Sequence, residues 1–414
     1  MLYGPVELTT ATVADKRVLL FTQMSSSRTA PGDNGGRGTF RRVIHLWLSD
    51  GARTHDVGPI SADDAGEALF SSLLYTNDEL FALYAKVGES GSSQSLVFAR
   101  LPEQLQRIKS VLQTWNDVDG RVAKLCSPTV TPAAACVGTM PTDGLVGFLS
   151  NGGNNTHWND EYLGMNATVS TTATRKVSDG FELAGAGARI VWPVGSKSEN
   201  DGYPLAYEEL TLVATVTING ATTSVTPLLG VKTVVTGRYL GLWYDQHKHW
   251  RTNFRAGAGG NDAHAMAWEV GKTYRVLLTV QNGSGSAYVD GRLVGSLEEN
   301  PPATVPARPS PAAGRELPPL EGPPERVSHV LVGEYRDSKG TAESRVTVTN
   351  VLLYNRRFSA SEVAAMKRAQ ERKSSGAAGT QHAKAKAKDI SVHGCASGAL
   401  SLLLFALWGL SALC

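Results

Sequence analysis

The chain has 414 residues and a formal net charge of +2, because its 40 lysines and arginines nearly balance 38 aspartates and glutamates. A chain of this length accommodates about two or three domains with substantial cores. The charge balance argues against a nucleic-acid partner, which requires concentrated positive charge, so none is predicted. The 43 glycines and the frequent Val, Thr and Leu residues favour many strands joined by tight turns.

Residues 1–101 contain short strand-like runs at close intervals. The runs are KRVLLFTQM, VIHLWLSD, ALFSSLLY, ELFALYAK and SLVFARL, and the breaks between them include SDGARTHD and TND. Strands at this spacing are typical of a sandwich, a barrel or a propeller, and this set suffices for part of a propeller. His45 and His55 have no partner at catalytic or metal spacing and are predicted to be structural or exposed.

Residues 102–120 change to a helical period. Pro102 suits the first turn of a helix, and apolar residues recur at steps of three or four positions. We therefore predict a helix that links two domains. Its recurring apolar residues are Leu101, Leu105, Ile108, Leu112 and Trp115.

Residues 121–170 are predicted to form an irregular connector that carries Cys126 and Cys136, two of the four cysteines. Their proximity favours a disulfide if the chain is secreted, and two reduced, buried thiols are the alternative. The sequence has neither a CxxC motif nor a Cys/His pattern with metal spacing. Neither a metal site nor a cofactor is therefore predicted.

Residues 171–365 are predicted to form a second β domain, with strand-like runs from about Ser178 to Tyr354. About eight antiparallel strands in this length fit a two-sheet jelly-roll sandwich. One stretch, GKTYRVLLTVQNGSGSAYVDGRLVGSL, predicts two strands around QNGSGS and then a tight DG turn. A Pro-rich insert at 300–325 predicts an extended loop. Ser359 and Glu362 have the capping-box spacing that starts a helix.

The chain ends in a polar tail, residues 366–398, and an uncharged apolar segment, residues 399–414. A polar spacer followed by a short apolar end predicts a GPI-attachment signal, and a tail-anchored transmembrane helix is the alternative. The candidate attachment residues are Asp389, Ser391 and Gly394. These features predict a membrane partner through the GPI anchor.

A GPI signal requires entry to the secretory pathway, but the first residues, MLYGPVELTTATVADKRVLLF, do not form a signal peptide. We therefore expect an N-terminally truncated gene product or a missed start. A cell-surface location is predicted if an upstream signal peptide exists. Three sequons, at Asn154, Asn166 and Asn282, predict glycosylation of at least one asparagine in a secreted chain.

The stretch VTVTNVLLYNR resembles the VTVxNVxLYNR signature of the trypanosome trans-sialidase superfamily, in its non-catalytic surface-glycoprotein branch. Supporting matches include SSLLYTNDELFALY, GLVGFLS, WNDEYLGMNATV and YVDGRLVGSL, in collinear order over residues 7–365. The resemblance implies an all-β chain. It implies the C-terminal part of a six-bladed sialidase propeller, a linking helix and a concanavalin A-like, laminin-G-like sandwich. The signature residues are Val346, Thr347, Val348, Asn350, Val351, Leu353, Tyr354, Asn355 and Arg356.

The resemblance also implies where sialyl chemistry would take place. In active relatives a tyrosine that directly precedes the SSxLY run attacks the anomeric carbon, and three arginines grip the sialic-acid carboxylate. Here the nucleophile position is Phe70, which has no oxygen. The third arginine matches Arg41, although adjacent Arg42 leaves the register open, and Thr39 stands where transferring members carry a tryptophan. The other catalytic residues would lie upstream of residue 1.

These matches predict a catalytically inactive surface glycoprotein for host-cell or matrix adhesion or for antigenic variation. Its partner would be a host cell-surface or matrix protein, or a glycan. The alternatives are an active sialidase or trans-sialidase, a carbohydrate-binding module that uses Trp243, Tyr244 and Trp250, and a fragment whose exposed apolar faces favour aggregation.

The signature segment is implicated in adhesion by the resemblance, yet it alternates like a buried strand. We predict that it closes the sandwich and leaves only Asn355, Arg356 and at most one polar face for a ligand. One predicted face carries Val346, Val348, Asn350, Leu352 and Tyr354, and the other carries Thr347, Thr349, Val351, Leu353 and Asn355.

Overall fold

The described residues of the first hundred form two antiparallel sheets, and tight turns join neighbouring strands within them. At two of these turns consecutive residues have positive φ, Ala14 with Asp15 and Asn77 with Asp78, as a type I′ hairpin requires. In the first sheet the order is β1 (Glu7–Val13), β2 (Lys16–Arg28), β3 (Phe40–Ser49) and β4 (Thr54–Pro59). In the second it is β5 (Glu67–Thr76), β6 (Glu79–Val87) and β7 (Gln94–Arg100).

These sheets belong to a computed structural model, and the described residues all lie in one unit, Met1–Glu371. The described residues are 7–28, 40–61, 67–87, 93–126, 139–195, 209–234, 236–252, 267–281, 284–296, 326–335 and 344–366. The Pro-rich insert at 300–325, the polar tail beyond Met366 and the segment 399–414 lie outside them. Within these ranges, no helix combines the length and apolar character needed to cross a membrane.

Strand β4 corrects the prediction that SDGARTHD is a break. Its residues Thr54–Pro59 pair with the end of β3, although a register shift interrupts the ladder between Leu46 and Trp47. The run was missed because its alternation is weak and its last residue is a proline, which sheets tolerate at an edge strand.

The second sheet leaves one apolar face in solvent. Leu74, Leu83, Leu96 and Phe98 are exposed, and Phe98 stacks on Phe81 with ring centroids 5.4 Å apart. The apolar face expected of an incomplete propeller is therefore present. A contiguous exposed patch of this kind is uncommon on monomeric soluble proteins.

The helix α1 (Pro102–Ala123) joins the sheets to the second β domain and extends three residues past the predicted end at 120. Pro102 occupies its first turn, where a missing N–H costs nothing. A 3₁₀ turn, Lys124–Cys126, follows it. The apolar face packs against both sheets and against the outer surface of the second domain, as a shared core that includes Val213, Leu277 and Leu352. The buried helix residues are Leu105, Ile108, Val111, Leu112, Trp115, Val118 and Val122.

The second domain is one antiparallel sheet of fifteen strands that wraps around a single core. Its end strands, β17 and β20, nearly meet, since a Cβ added at Gly295 would lie 2.2 Å from Thr252 Oγ1. The spatial order is β17-β16-β15-β21-β13-β10-β9-β8-β22-β14-β18-β19-β20, with β11 and β12 paired beside β22. The strands are β8 (Leu145–Gly153), β9 (His157–Asp160), β10 (Ala167–Val169), β11 (Thr174–Val177), β12 (Gly180–Gly185), β13 (Arg189–Pro193), β14 (Glu209–Ile218), β15 (Thr226–Thr233), β16 (Tyr239–Tyr244), β17 (Trp250–Thr252), β18 (Thr273–Gln281), β19 (Ser284–Val289), β20 (Arg292–Ser296), β21 (Val327–Gly333) and β22 (Ser344–Tyr354).

Strands β8, β9 and β10 contradict the prediction of an irregular connector over residues 121–170. They are integral to the sheet, so the sandwich begins well before residue 171. The first six residues of β8 are all buried and show no alternation, as is usual for a strand covered on both faces. The other two strands have four and three residues, too few to reveal a period.

Two local predictions are confirmed. Strands β18, β19 and β20 form the meander expected around QNGSGS and the DG turn, with positive φ at Asp290 and Gly291. The capping box is present as well. The Glu362 carboxylate accepts from the Ser359 N–H at 2.8 Å, and Ser359 Oγ accepts from the Glu362 N–H at 3.3 Å. The helix that follows begins at residue 360 and is described to residue 366.

Candidate functional site

Phe70 lies on β5, at a point where the ladder with β6 is irregular. The register shifts between Ala68 and Ser71, and the Phe70 side chain is 70% exposed. The next residue, Ser71, is buried and donates its hydroxyl to Thr22 Oγ1 at 2.8 Å. This end of β5 is therefore fixed against β2, with an exposed phenyl ring at its tip.

The candidate sialic-acid contacts are only partly described by the structure. The backbone of Arg41 is part of β3 and pairs with Ser27, whereas its side chain and all of Thr39 lie outside the described residues. His45, further along β3, has a partner that the sequence did not indicate. Its Nδ1 lies 2.9 Å and 3.0 Å from the two carboxylate oxygens of Asp56 on β4.

The signature segment forms β22, in the middle of the fifteen-stranded sheet. Part of it pairs with β12 and part with β8, while β14 covers its other edge. Asn350 has φ +50, and the register with β14 shifts around this position. A left-handed residue inside a strand is a β-bulge, and Asn tolerates that conformation better than most residues.

This bulge overturns the predicted assignment of faces. Val346 and Val348 point into the sandwich core, but after Asn350 the core positions are Val351 and Leu353. Leu352 and Tyr354 instead join the core shared with α1 and the two blade-like sheets. The strict period of two fails because the extra residue at the bulge reverses the parity of everything that follows it.

Polar contacts fix the bulge in place. Ser150 Oγ donates to Asn350 Oδ1 at 2.8 Å, and the Asn350 N–H donates to the carbonyl of Asp179 at 3.0 Å. Both edges and both faces of β22 are therefore engaged by the protein. Only Thr347, Thr349 and Asn350 are half-buried along the strand, and Asn355 is exposed just beyond it.

Arg356 is occupied by neighbouring residues, which contradicts the prediction that it is free for a ligand. Its two terminal nitrogens donate to the Glu362 carboxylate at 2.7 Å and 3.0 Å. Its Nε donates to the carbonyl of Asp143 at 2.9 Å. Tyr354, two residues earlier, donates its hydroxyl to the carbonyl of Pro141 at 2.9 Å. The end of the signature thus fastens the chain before β8 and the helix after β22.

A second polar cluster, centred on Arg53, joins three parts of the chain. The guanidinium lies 4.5 Å from the ring centroid of Tyr162 and 5.2 Å from that of Trp115. It donates to both oxygens of Asp119 at 3.1 Å and 3.2 Å, and to Asp50 at 2.9 Å. The first sheet, α1 and the loop after β9 therefore meet at one side chain. Sequence reasoning missed this cluster, because its members are far apart along the chain and follow no motif.

Cys126 is buried at the end of the 3₁₀ turn and is disulfide-bonded. Its predicted partner, Cys136, lies outside the described residues. Arg275 on β18 donates from Nη1 to Cys126 Sγ at 3.4 Å and from Nη2 to the carbonyl of Leu125 at 3.5 Å. Burial lowers the pKa of Arg275. The turn after α1 is thereby attached to the sandwich.

Two of the three sequon asparagines are exposed in the structure. Asn154 Oδ1 accepts from the N–H and the hydroxyl of Thr156, each at 2.9 Å. Asn166 Oδ1 accepts from the Asp160 N–H at 2.9 Å. Asn282 lies outside the described residues, as do the attachment candidates Asp389, Ser391 and Gly394.

The aromatic residues predicted to face a sugar divide into two groups. Tyr244 and Trp250 are buried in the sandwich core, so their prediction as exposed stacking residues is wrong. Alternation along β16 carries Tyr244 to the inner face, and Trp250 packs against Tyr274 with centroids 5.2 Å apart. Trp243 lies on the opposite face and is half-buried. Within the described ranges, no group of three or more His, Cys, Asp or Glu residues could hold a metal ion.

Comparisons with known proteins agree with this architecture. Residues 141–361 match the family described as trans-sialidase, C-terminal domain, and residues 4–85 match a BNR repeat-like domain. The chain belongs to the trans-sialidase family. The all-β fold is confirmed with it: part of a sialidase propeller, a linking helix and a β-sandwich.

Individual relatives of this trans-sialidase-family chain come from trypanosomes. It is 34% identical over 362 residues to a sialidase of Trypanosoma cruzi, and 34% identical over 376 residues to sialidase 85-1.1 of the same organism. Trypanosoma rangeli sialidase in complex with 2,3-difluorosialic acid superposes with a TM-score of 0.66 at 35% identity.

The trans-sialidase-family chain spans about half the length of its relatives, or less. The matches cover 84% and 87% of this chain but 28% and 44% of the two T. cruzi proteins. For the T. rangeli structure the shares are 88% of this chain and 53% of the other. The activities of those longer proteins therefore apply to this chain only as proposals.

Acid should weaken this trans-sialidase-family protein through the Arg356–Glu362 pair. The hydrogen bonds from Arg356 lower the pKa of Glu362 from its usual 4.5 to about 2. A depressed folded-state pKa stabilises the fold above about pH 4.5, and this stabilisation is lost as the pH falls toward 2. We expect Glu362→Gln to remove about 2 kcal/mol of the acid-dependent change in the free energy of unfolding.

Urea unfolding at several pH values between 2 and 6 checks this expectation. Glu269→Gln is a matched control, because Glu269 also pairs with a cation, Lys272, but its side chain is 63% exposed. The control should leave the acid profile almost unchanged. Parallel profiles for wild type and Glu362→Gln would contradict the prediction.

Proposed function

We propose that this chain is a catalytically inactive member of the trans-sialidase family that acts as a surface glycoprotein in attachment to host cells or matrix. The proposed inactivity depends on one residue, Phe70. It stands where the resemblance expects the nucleophilic tyrosine, and its exposed ring offers no oxygen to the anomeric carbon. Without a nucleophile the covalent glycosyl-enzyme step has no acceptor atom.

Hydrolysis and transfer assays test the inactivity. We expect the purified chain to release no fluorophore from a fluorogenic sialoside above the buffer rate, and to transfer no sialic acid to lactose. Trypanosoma rangeli sialidase serves as the positive control for hydrolysis, and the mutant of that enzyme that displays trans-sialidase activity serves for transfer. Enzyme-dependent turnover by the wild-type chain would contradict the proposal and favour the alternative, an active sialidase.

A pair of variants locates the cause of the inactivity. Phe70→Tyr restores the missing oxygen, and Phe98→Tyr adds the same oxygen to another exposed phenylalanine on β7. Turnover gained by Phe70→Tyr alone would assign the inactivity to that single side chain. We expect no gain from either variant, because a sialidase also needs arginine clamps and an acid/base group beside the nucleophile.

The proposed attachment uses surfaces other than the signature strand. Both edges of β22 are paired and most of its side chains are buried, so it offers a partner few atoms. Exposed Asn154 and Asn166 suit a secreted glycoprotein. The proposed location is the cell surface, with a GPI anchor at Asp389, Ser391 or Gly394. The proposed partner is a host cell-surface or matrix protein, or a glycan.

Binding of the purified chain to cultured host cells and to coated matrix proteins tests the attachment. We expect binding by the folded chain and none by a synthetic peptide of residues 344–356. Binding that only the peptide shows, or that the chain shows only after denaturation, would contradict the proposal.

A further inference from the structure

The described residues of α1 and of the two blade-like sheets cover one part of the outer surface of the sandwich. Helix α1 and the two blade-like sheets pack on Val213, Leu277 and Leu352 of β14, β18 and β22. Strands β13, β15, β16 and β21 lie elsewhere in the sheet, and their alternate residues, such as Leu240 and Val330, fill the inner core. The remaining residues of these four strands form the outer surface.

Three aromatic side chains stack on this outer surface, and we name them the aromatic platform: Tyr239, Trp243 and Tyr335. The Tyr239 ring lies 5.6 Å from Trp243 at an interplanar angle of 26°, and 4.4 Å from Tyr335 at 19°. Trp243 and Tyr335 lie 6.4 Å apart and are tilted by 43°. The three rings therefore form one aromatic cluster.

Two glycines make room for the Tyr239 ring on the surface of the sheet. Gly230 on β15 pairs with Gly241 on β16, and Tyr239 lies across both. A Cβ added at Gly230 would lie 2.4 Å from Tyr239 Cζ, and one at Gly241 would lie 2.7 Å from its Cε1. Two facing glycines thus allow the Tyr239 ring to lie flat on the sheet, where it is only 7% exposed.

The other two residues of the platform, Trp243 and Tyr335, are less buried than Tyr239. Tyr335 follows β21, where Gly333 has φ +78, a value that lets the chain turn at the end of the strand. Its ring covers Tyr239, while Tyr335 itself and Trp243 are both half-buried. Part of each of these two residues therefore faces solvent.

Polar and cationic side chains border the platform. Lys232 is exposed and pairs in register with Tyr239 on one side and with His329 on the other. Arg251 pairs in register with Trp243, and Asp245 holds its guanidinium with an Nε–Oδ2 distance of 2.6 Å. Flat apolar rings beside fixed hydrogen-bond donors are the combination that small polar ligands with one apolar face require.

We propose that the aromatic platform is a carbohydrate-binding site, in which Trp243 and Tyr335 hold the apolar face of a pyranose ring and Arg251 and Lys232 hydrogen-bond its hydroxyl or carboxylate groups. Only the biological role of this sugar binding, in attachment, rests on the proposed function. The binding itself depends on the platform and not on Phe70.

Ligand-observed saturation-transfer NMR on the full chain tests the proposal, with lactose as a neutral probe and 3′-sialyllactose as an acidic one. We expect at least one probe to bind with a millimolar Kd, and Trp243→Ala and Tyr335→Ala each to weaken that binding at least about tenfold. The matched control is Phe98→Ala, which removes an exposed aromatic ring from β7 and should leave binding unchanged. Circular dichroism and thermal melts verify that each variant is folded.

Lys232→Gln distinguishes the two classes of sugar. A loss confined to 3′-sialyllactose would support the site with a carboxylate contact by Lys232, and an equal loss for both probes would support it with a hydroxyl contact. No saturation transfer to either probe at tens of millimolar would overturn the proposal. So would binding that survives in folded Trp243→Ala and Tyr335→Ala proteins. If Trp243→Ala does not fold, the test relies on Tyr335→Ala, which removes the ring that stacks on Tyr239.

Cell attachment measured on the same variants separates this inference from the proposed function. Attachment that persists in a variant without sugar binding leaves the proposed function intact and assigns it to another surface. Sialoside hydrolysis by the wild-type chain would overturn the proposed function, but it would not affect sugar binding by the platform.

Discussion

Arg53→Ala is expected to lower the free energy of unfolding by about 2–4 kcal/mol, the largest of the stability effects predicted for this protein. The guanidinium lies between two aromatic rings and donates to two carboxylates. Its removal leaves Asp50 and Asp119 partly buried without their cation. It also removes the contact that joins the first sheet to α1 and to the loop carrying Tyr162. Equilibrium unfolding in urea measures the change.

A matched variant separates this effect from the loss of any surface arginine. Arg121, on the same helix as Asp119, pairs with Glu161 at 3.0 Å, but its side chain is 51% exposed. Arg121→Ala should therefore cost less than about 1 kcal/mol. Arg53→Lys keeps the charge but not the planar guanidinium group. Its loss in the free energy of unfolding should therefore lie between those of Arg53→Ala and Arg121→Ala. Equal effects of Arg53→Ala and Arg121→Ala would show that the cluster adds nothing to an ordinary surface pair.

A double-mutant cycle extends this test to individual contacts. Tyr162 donates its hydroxyl to Asp119 at 2.6 Å, and the Trp115 indole N–H donates to the carbonyl of Tyr162 at 2.9 Å. Arg53→Ala and Tyr162→Phe should therefore be non-additive, because they share Asp119 as a partner. Additive effects would place the stabilisation in the stacking alone.

Asn350→Val is expected to destabilise the sandwich by about 2–3 kcal/mol, as the sum of strain and a lost hydrogen bond. Asn350 has φ +50, which a β-branched side chain adopts only with strain. Valine also removes the oxygen that accepts from Ser150. Urea unfolding followed by tryptophan fluorescence checks the prediction, since Trp158 and Trp192 lie in the sandwich core.

Two companion variants resolve the causes. Asn350→Gly relieves the backbone strain but still loses the hydrogen bond, so it should cost about 1 kcal/mol. Thr349→Val introduces the same valine one position earlier, where the residue is half-buried and has no positive φ, and should cost less than Asn350→Val. If Thr349→Val proves as costly as Asn350→Val, the bulge does not explain why the signature carries asparagine.

Asn350 also shows which structural features could be predicted from the sequence. Turns with positive φ at Asn77, Asp78, Asp290 and Gly291 were predictable, because few residue types tolerate that conformation. The same rule applied to Asn350 indicates a bulge within a strand. The alternating pattern of the segment favours an unbroken strand equally well, so the pattern alone does not reveal the bulge. As a result, the faces on which Val351 to Tyr354 lie were predicted wrongly.

Other features could not be predicted from local sequence at all. The Arg53 cluster joins residues more than 60 positions apart, and nothing near Arg53 indicates its partners. The aromatic platform requires the pairing of Gly230 with Gly241, which depends on strand register. Family resemblance supplied the overall architecture. It could not place β8 to β10 within the sheet, because short or fully buried strands have no visible period.

The position of β22 constrains how this protein is made. It is the last strand of the described chain, yet it lies in the interior of the fifteen-stranded sheet, and its Asn350 bonds to Ser150, 200 residues earlier. At about 5–20 residues per second, β8 emerges from the ribosome roughly 10–40 s before its partner. Throughout that interval the upstream strands expose unpaired edges and apolar faces. A chain that stops before β22 therefore cannot complete the sheet.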